Sequence, residues 1–404
     1  MKYYAPYQFS FFRIFLGLYL CIHFFQLIPY AGEIWSNIGL LSDPTLNFTY
    51  GVFPNILYLI DGPIGVSLFV GLLLVFSILL VVGFQRQVVV FLLWYGWVCL
   101  FDRNNLINNP GLPYIGWILL SLVVIPAGEP LSLTKSKSLS TDWRFPKIIF
   151  IGAWIIMAVG YTISGVDKFY SPSWYDGSAI FHLLENPLAR DWWLRDFVVG
   201  LPSWFLKINT WFVLSLEMLF LPFCLFSKSR KWVWIAMVCM HIGIMLIVDF
   251  ADLTMGMLMI HWFTFDGRWF SPKSKQSGIV FFDGVCGLCN KFIDFLIKED
   301  LHNTMQFAPL QGETAKDRLT NNDMEVIDTI IFISDNKVYK KSKGAILAIA
   351  GMGGFWKLIL MFLIIPNFIR DTIYSYIASN RYEWFGKRKT CRIPTKAEQM
   401  KILN

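Results

Sequence analysis

The sequence predicts a two-part fold: a multi-pass α-helical membrane region of about eight spans, followed by a small α/β domain. Three observations predict it. Of 404 residues, 55% are hydrophobic and only 16% are charged, with a mean hydropathy of +0.51, too apolar for an ordinary soluble protein. Runs approaching the roughly 20 apolar residues that a membrane helix needs lie almost entirely before Gly267. The remainder has an ordinary mixed composition and opens with a short apolar run, a turn and a Cys-x-x-Cys pair. The expected domains are a membrane region over 1–267, a linker over 268–277 and an α/β domain over 278–404. The polar segment 270–277 (FSPKSKQS), with Pro272, marks the boundary.

The candidate spans are 9–29, 65–83, 88–101, 114–128, 148–166, 211–226, 232–250 and 253–265. The third and the last are short enough to be re-entrant. Trp and Tyr crowd the span ends, as interfacial belts do. The first run is long and lacks a small-residue cleavage site, so it reads as a span rather than a cleaved signal peptide. Lys2, Arg86, the group Lys135, Lys137, Arg144 and Lys147, the group Lys228, Arg230 and Lys231, and the group Arg268, Lys273 and Lys275 fall in alternate loops. The intervening loop 31–63 carries no Lys or Arg. That alternation places both termini, and the Cys-x-x-Cys domain, on the cytoplasmic side of a plasma membrane; an odd span count reverses the assignment. The net charge of +7 sits in these short loops, which argues for a lipid bilayer and against nucleic acid as the partner. Seven scattered cysteines do not form an extracellular disulfide framework.

In the second region, 279–282 is a short buried-strand run stopped by Asp283-Gly284. Cys286-Gly287-Leu288-Cys289 follows, and apolar residues at 292, 293, 295, 296 and 297 form a helical stripe behind it. Strand, turn, Cys-x-x-Cys and helix make the layout of a thioredoxin-like redox site. Two cysteines three apart at a helix start lie about one turn from each other. The first faces unpaired amides and the positive end of the helix dipole, which favour a thiolate. On this reading Cys286, nearer solvent, attacks and Cys289 resolves. Zinc is the alternative, but the downstream candidates, His302 and Cys391, are far apart. Two inert buried thiols are the third reading.

Further strands are expected at 305–309, 328–334 and 337–341, the last two in a hairpin turning at Asp335-Asn336. Helices are expected at 313–319 and from 343. That β-α-β-α-β-β-α order is a minimal thioredoxin or glutaredoxin core. Such cores usually place a cis-proline before the third strand. Asp328 or Thr329 stands there, and a non-proline cis bond costs roughly 3 kcal/mol, so a trans peptide and a more open groove are expected. The apolar stretch 357–377, interrupted by Pro366, reads as a buried helix or as a face docked on the membrane or on the first region.

The segments FFDGVCGLCN, FAPLQGE (307–313), SKGAILAI (342–349) and the long run 365–391 resemble the DCC family of thiol-disulfide oxidoreductases over about 278–391. The resemblance implies the thioredoxin-like fold and disulfide chemistry, without a substrate. Arg381, Tyr382, Gly386 and Lys387, with Arg388, match that family's pattern of an Arg-Tyr pair followed by Gly and a basic residue. A basic cluster there can support a thiolate, bind an anionic substrate, or simply be a solvated or lipid-facing surface. Asp283, three residues before Cys286, either shuttles a proton or caps its turn. Cys391 is a further candidate redox partner.

In the first region, YTISGVDKFYSPSWYDGSA (161–179) resembles the HTTM family, the membrane domain shared with vitamin K-dependent γ-carboxylases, through Tyr161, Gly165, Lys168, Trp174 and Gly177. Arg13, Gly17 and His241 also fit. The resemblance implies Lys168 as the base acting on a quinone-type cofactor. A lysine at a membrane boundary is readily desolvated and can act so. The bland reading pairs Lys168 with Asp167 or Asp176. His23 and His241 lie within spans, where ionisable groups point to function, although a neutral histidine bonded to a backbone carbonyl is common. Cys21, Cys99, Cys224 and Cys239 read as small apolar fillers.

The function so predicted is a membrane-anchored thiol-disulfide oxidoreductase acting on a protein or small-molecule thiol, with quinone as a candidate partner and no metal. The alternatives are a peptide-modifying or maturation factor and a non-enzymatic redox-sensing scaffold.

Overall fold

The computed structural model describes residues 4–134, 143–270, 278–300, 303–320, 330–387 and 401–403. They fall into two compact units. One is Phe9–Phe265; the segments before Phe9 and from Asp266 onward make the other. Asp328 and Thr329, the linker 271–277, Lys2, Lys135, Lys137, His302, Arg388 and Cys391 lie outside the described residues.

The first unit is helical: α1 (Pro6–Leu27), α2 (Ala31–Trp35), α3 (Pro63–Val82), α4 (Arg86–Arg103), α5 (Gly111–Val124), α6 (Lys147–Phe169), α7 (Pro172–Tyr175), α8 (Ala179–Glu185), α9 (Trp193–Val199), α10 (Ser203–Met218), α11 (Phe220–Leu225), α12 (Ser227–Ile247) and α13 (Ala251–Phe263). Every apolar stretch expected to span is helical. Among the described residues, four helical stretches are long and apolar enough to cross a membrane: Pro6–Trp35, Pro63–Val82, Lys147–Phe169 and Ser227–Ile247. A fifth apolar segment is broken, with α9 and α10 meeting at 103°. The 14 residues of α5 make about 21 Å of helix, short of a bilayer core of roughly 30 Å.

One buried charge cluster in this unit is paired. Glu129 accepts from Arg86 Nε at 2.7 Å and lies 3.6 Å from Arg13 Nε. Arg13, fully buried, donates to the carbonyls of Leu80 and Val81 at 2.5 and 2.8 Å, and so caps the end of α3 with a cation. Arg86, read from sequence as a loop charge, is a buried member of this network, because Glu129, 43 residues on, folds back to it.

The second unit carries β1 (Gly278–Phe282), α14 (Gly287–Glu299), β2 (Met305–Pro309), α15 (Glu313–Arg318), β3 (Ile331–Ser334), β4 (Lys337–Lys340), α16 (Lys341–Gly351), a 3-10 helix (Gly354–Ile364) and α17 (Asn367–Phe385). The sheet runs β2-β1-β3-β4. β1 pairs parallel to β2 (Val280 with Phe307) and antiparallel to β3 (Val280 with Phe332). As an inner strand, β1 is apolar along its length, and Val280, Phe281 and Phe282 are buried. The hairpin between β3 and β4 turns on Asp335 (φ 49°) and Asn336 (φ 59°), the residues that best tolerate a primed turn. Residues 401–403 lie along β2: Phe307 donates to the Lys401 carbonyl (2.9 Å) and accepts from the Leu403 amide (2.7 Å). The buried Glu299 carboxylate accepts from the Tyr7 amide (2.9 Å) and the Trp356 indole (3.0 Å), which ties the segment before Phe9 to α14.

The stretch 357–377 forms neither a single buried helix nor a straight one. The 3-10 helix and α17 meet at 112°, with Pro366 capping α17, because proline donates no amide to continue the first helix. Phe362, Ile364 and Phe368 stand exposed around this bend.

Candidate functional site

The site is assembled where β1 ends. Asp283 leaves the strand, and its Oδ1 accepts the Val285 amide at 3.1 Å, closing the turn that carries the cysteines. Cys286 is the N-cap of α14 in extended conformation, and its Sγ accepts the Cys289 amide at 3.3 Å. The sulfur therefore stands where a capping oxygen normally would, against an otherwise orphan helix-start donor. Asn290 clamps the turn from behind, donating to the carbonyls of Gly284 (2.9 Å) and Cys286 (2.8 Å).

Asp283 is buried and fully engaged. Its Oδ2 accepts the Tyr382 hydroxyl at 2.5 Å and faces Arg381 Nη2 at 3.4 Å, while Oδ1 also accepts from Gln311 Nε2 at 3.0 Å. Arg381 is buried beside it, donating to Tyr382 Oη at 2.9 Å with its guanidinium 4.2 Å from the centre of that ring. The sequence reading left Arg381 open as a surface cation. The structure makes it the counter-ion of Asp283, since a buried carboxylate requires one. Burial, then Asp283, pushes the Tyr382 phenol up to about 12, with Arg381 opposing, so it remains a donor. Burial pushes the Cys289 thiol up; the Cys286 sulfur and Asp283 act in the same direction, and Arg381 against. Cys289 is thus held protonated.

One expectation is overturned. Cys286 was placed nearer solvent, yet it is 0% exposed against 8% for Cys289. The cause is the chain after α17. Gly386 ends that helix at φ 78°, ψ 158°, a conformation essentially reserved for glycine, and turns the backbone across the start of α14. Its carbonyl accepts the Gly287 amide at 3.1 Å, and Lys387 bridges to Cys286 in antiparallel fashion. Lys387 itself is exposed, with Nζ 5.2 Å from the centre of the Tyr382 ring. Cys286, Cys289, Asp283, Arg381, Tyr382, Gly386 and Lys387 therefore form one cluster. Gln311, which binds Asp283, had been missed; its only sequence signal is its place inside the FAPLQGE segment.

Lys168, Trp174 and His241 belong to the helical unit, where Lys168 and Trp174 meet and His241 sits in a separate set. Lys168 pairs with Glu217 of α10, in place of Asp167 or Asp176, and donates to Ser164 at 2.8 Å. Its ammonium lies 5.3 Å from the centre of the Trp174 ring. Gly165 permits the pairing: a Cβ there would overlap the Met218 amide, so only glycine lets α6 approach α10 at Glu217. His241 Nε2 meets the Tyr161 hydroxyl at 2.6 Å rather than a backbone carbonyl, and His261 Nε2 meets the same oxygen at 2.8 Å. Glu217 and His261 were missed, although an ionisable residue inside an apolar run is a recognised signal. Among the other cysteines, Cys99 and Cys224 are buried and free, Cys21 is half-buried and free, and Cys239 is exposed.

The sequence profile of DCC1-like thiol-disulfide oxidoreductases matches residues 280–387, from the middle of β1 to Lys387. The uncharacterized protein YuxK of Bacillus subtilis (strain 168) is 39% identical over 127 residues, 31% of this chain and 93% of that protein. A chloroplastic DCC family protein of Arabidopsis thaliana is 30% identical over 124 residues, 30% of this chain and 72% of that one. No solved structure matches the chain. By the extent of these matches, and by the cysteine turn and closing segment they enclose, the chain belongs to the DCC family of thiol-disulfide oxidoreductases.

Proposed function

We propose that the chain is a membrane-anchored thiol-disulfide oxidoreductase in which Cys286 attacks and Cys289 resolves. The observation that carries this reading is the Cys286 sulfur at the N-cap of α14, accepting the amide of a Cys289 whose own thiol is held protonated. The Cys286 thiolate attacks one sulfur of a substrate disulfide; the substrate S–S bond breaks and the first substrate thiolate leaves. Cys289 then gives up its proton and attacks Cys286, expelling the second substrate thiol. The substrate disulfide is reduced to two thiols and the Cys286–Cys289 pair is oxidised to a disulfide; the reverse sequence oxidises a dithiol. The segment Gly386–Lys387 swings aside to admit the substrate, a thiol protein or a small thiol. The β2-β1-β3-β4 order supports a thioredoxin-like core. Purified full-length protein should reduce insulin disulfides with dithiothreitol as electron source, and Cys286→Ser should abolish this above background. Equal rates for the two proteins would end the proposal.

The apolar helices support the anchor; in this reading the membrane is a plasma membrane and the cysteine unit lies in the cytoplasm. The exposed residues Phe362, Ile364 and Phe368 suit contact with the same lipid surface. Because Cys286 is buried, the topology probe belongs at exposed Lys387. In a background with every native cysteine replaced by Ser, Lys387→Cys should react with a membrane-impermeant maleimide only after permeabilisation. Labelling of intact cells would reverse the orientation.

A second reading is favoured by the group at Lys168, Glu217, Ser164 and Trp174. In it the helical unit, HTTM-like, binds a quinone that exchanges electrons with the cysteine pair, and Lys168 handles the proton. With dithiothreitol and menaquinone, a Cys286→Ser protein that reduces the quinone as fast as wild type would sink this coupling.

A further inference from the structure

Distinct from the thiol cluster and from Lys168, the helical unit contains a pocket of about 270 Å³ between α1, α2, α4 and the start of α13. Its walls are Leu27, Trp35, Trp97, Leu100, Phe101 and Phe250, and one side is polar: His23, Asp252 and Asn109. The aromatic walls have no polar handle left to offer. The Trp35 indole N–H donates to the Leu100 carbonyl and that of Trp97 to the Leu112 carbonyl, each at 3.0 Å. Both therefore turn ring surface to the pocket. Asn104, also on the lining, is held by the Ile34 carbonyl at 2.7 Å.

The polar side is ordered as a dyad. His23 Nδ1 lies 2.7 Å from Asp252 Oδ1, an oxygen that also accepts the Tyr19 hydroxyl at 2.6 Å, and Asn109 Nδ2 donates to Oδ2 at 3.2 Å. Three donors converge on Asp252, so both carboxylate oxygens are engaged. A carboxylate on Nδ1 fixes the imidazole as the Nδ1–H tautomer and leaves Nε2 as an acceptor. The His23 ring lies 5.0 Å from that of Trp97, which holds its plane. The pocket thus combines aromatic walls with the His23 Nε2 acceptor, and the Gln26 amide also lines it.

We propose that this pocket binds an apolar molecule with an aromatic ring bearing a weakly acidic hydroxyl, a phenol-type head, whose O–H donates to His23 Nε2. The volume lies just under the usual range for drug-sized ligands and admits one ring with a short chain. A carboxylate ligand is disfavoured by the negative charge of Asp252 behind the imidazole. A cation would have to compete with the three donors already gathered on Asp252. A neutral donor on a flat apolar body meets neither obstacle. The inference does not rest on the thiol reading, and its test involves no cysteine.

The test is photocrosslinking of the full-length protein in detergent with a 4-alkylphenol carrying a diazirine in its chain, mapped by peptide mass spectrometry. Adducts are expected on peptides containing Trp35, Trp97 or Phe101. 4-Hexylphenol should compete about tenfold better than 4-hexylanisole, its methyl ether, which keeps the shape and loses the donor. His23→Phe should lower labelling at these peptides about tenfold and leave labelling on outward helix faces unchanged. Equal competition by phenol and ether overturns the proposal, as does labelling confined to outward faces. The comparison of competitors uses the unaltered protein, so it decides the matter even if the variant fails to fold.

Discussion

At the level of single residues, the asymmetry of the two thiols is what a chemist would measure first. Burial, the adjacent sulfur and Asp283 raise Cys289 above the ordinary thiol value. In the reduced protein near neutral pH, Cys289 should resist iodoacetamide while the unfolded chain alkylates it readily, as peptide mass spectrometry would show; fast labelling of folded protein at Cys289 would refute this. A raised thiol also ties stability to pH. The contribution is fully present below the unfolded value of about 8.5 and is lost as pH rises toward the folded one. Melting temperature should therefore fall above about pH 8.5, and Cys289→Ala should flatten that decline; an unchanged slope would contradict the assignment. Arg381 is testable by removal. Arg381→Met leaves Asp283 buried without its cation and should cost about 3–5 kcal/mol in denaturant unfolding. The double change with Asp283→Asn should recover much of that loss, and additive losses would deny the coupling. The cysteine turn was readable from sequence because it is local: strand, turn, cap and helix follow one another. Arg381 and Tyr382 were visible only through family resemblance, since they reach Asp283 across 98 and 99 residues. Glu217 was passed over for a similar reason: adjacent acids looked like the natural partners of Lys168, and a helix 49 residues on supplied the real one.

At the scale of elements, the segment that closes over α14 covers Cys286. Gly386 sits where other residues are strained by about 1–3 kcal/mol, so Gly386→Ala should loosen this segment more than the sheet. The expected result is faster maleimide labelling of Cys286 with a modest fall in melting temperature. Unchanged labelling would show that the segment does not limit access. Sequence periodicity found the apolar helices and the β3–β4 hairpin, because both signals lie within one element. It did not foresee that Cys286 would be covered, because the cover comes from a glycine exactly one hundred positions downstream. Nor did it resolve the bend at Pro366 into two helices, since apolar residues continue on both sides of the proline.

For the molecule as a whole, the division into a helical unit and a mixed-sheet unit was legible in composition alone. The number of crossings was less so. Apolarity marks every stretch as helical, whereas length separates Lys147–Phe169 from the shorter Gly111–Val124. Buried cation–carboxylate groups at Glu129 and at Asp283 lie one in each unit, and both pair residues far apart in sequence. Residues 401–403 have a further consequence. By exchanging two backbone hydrogen bonds with Phe307, they occupy the outer rim of β2, which would otherwise present unpaired amides and carbonyls. A chain shortened by these residues should be prone to self-association through that rim, visible as early-eluting species in size-exclusion chromatography. A shortened chain that elutes unchanged would show that the rim is protected by other means.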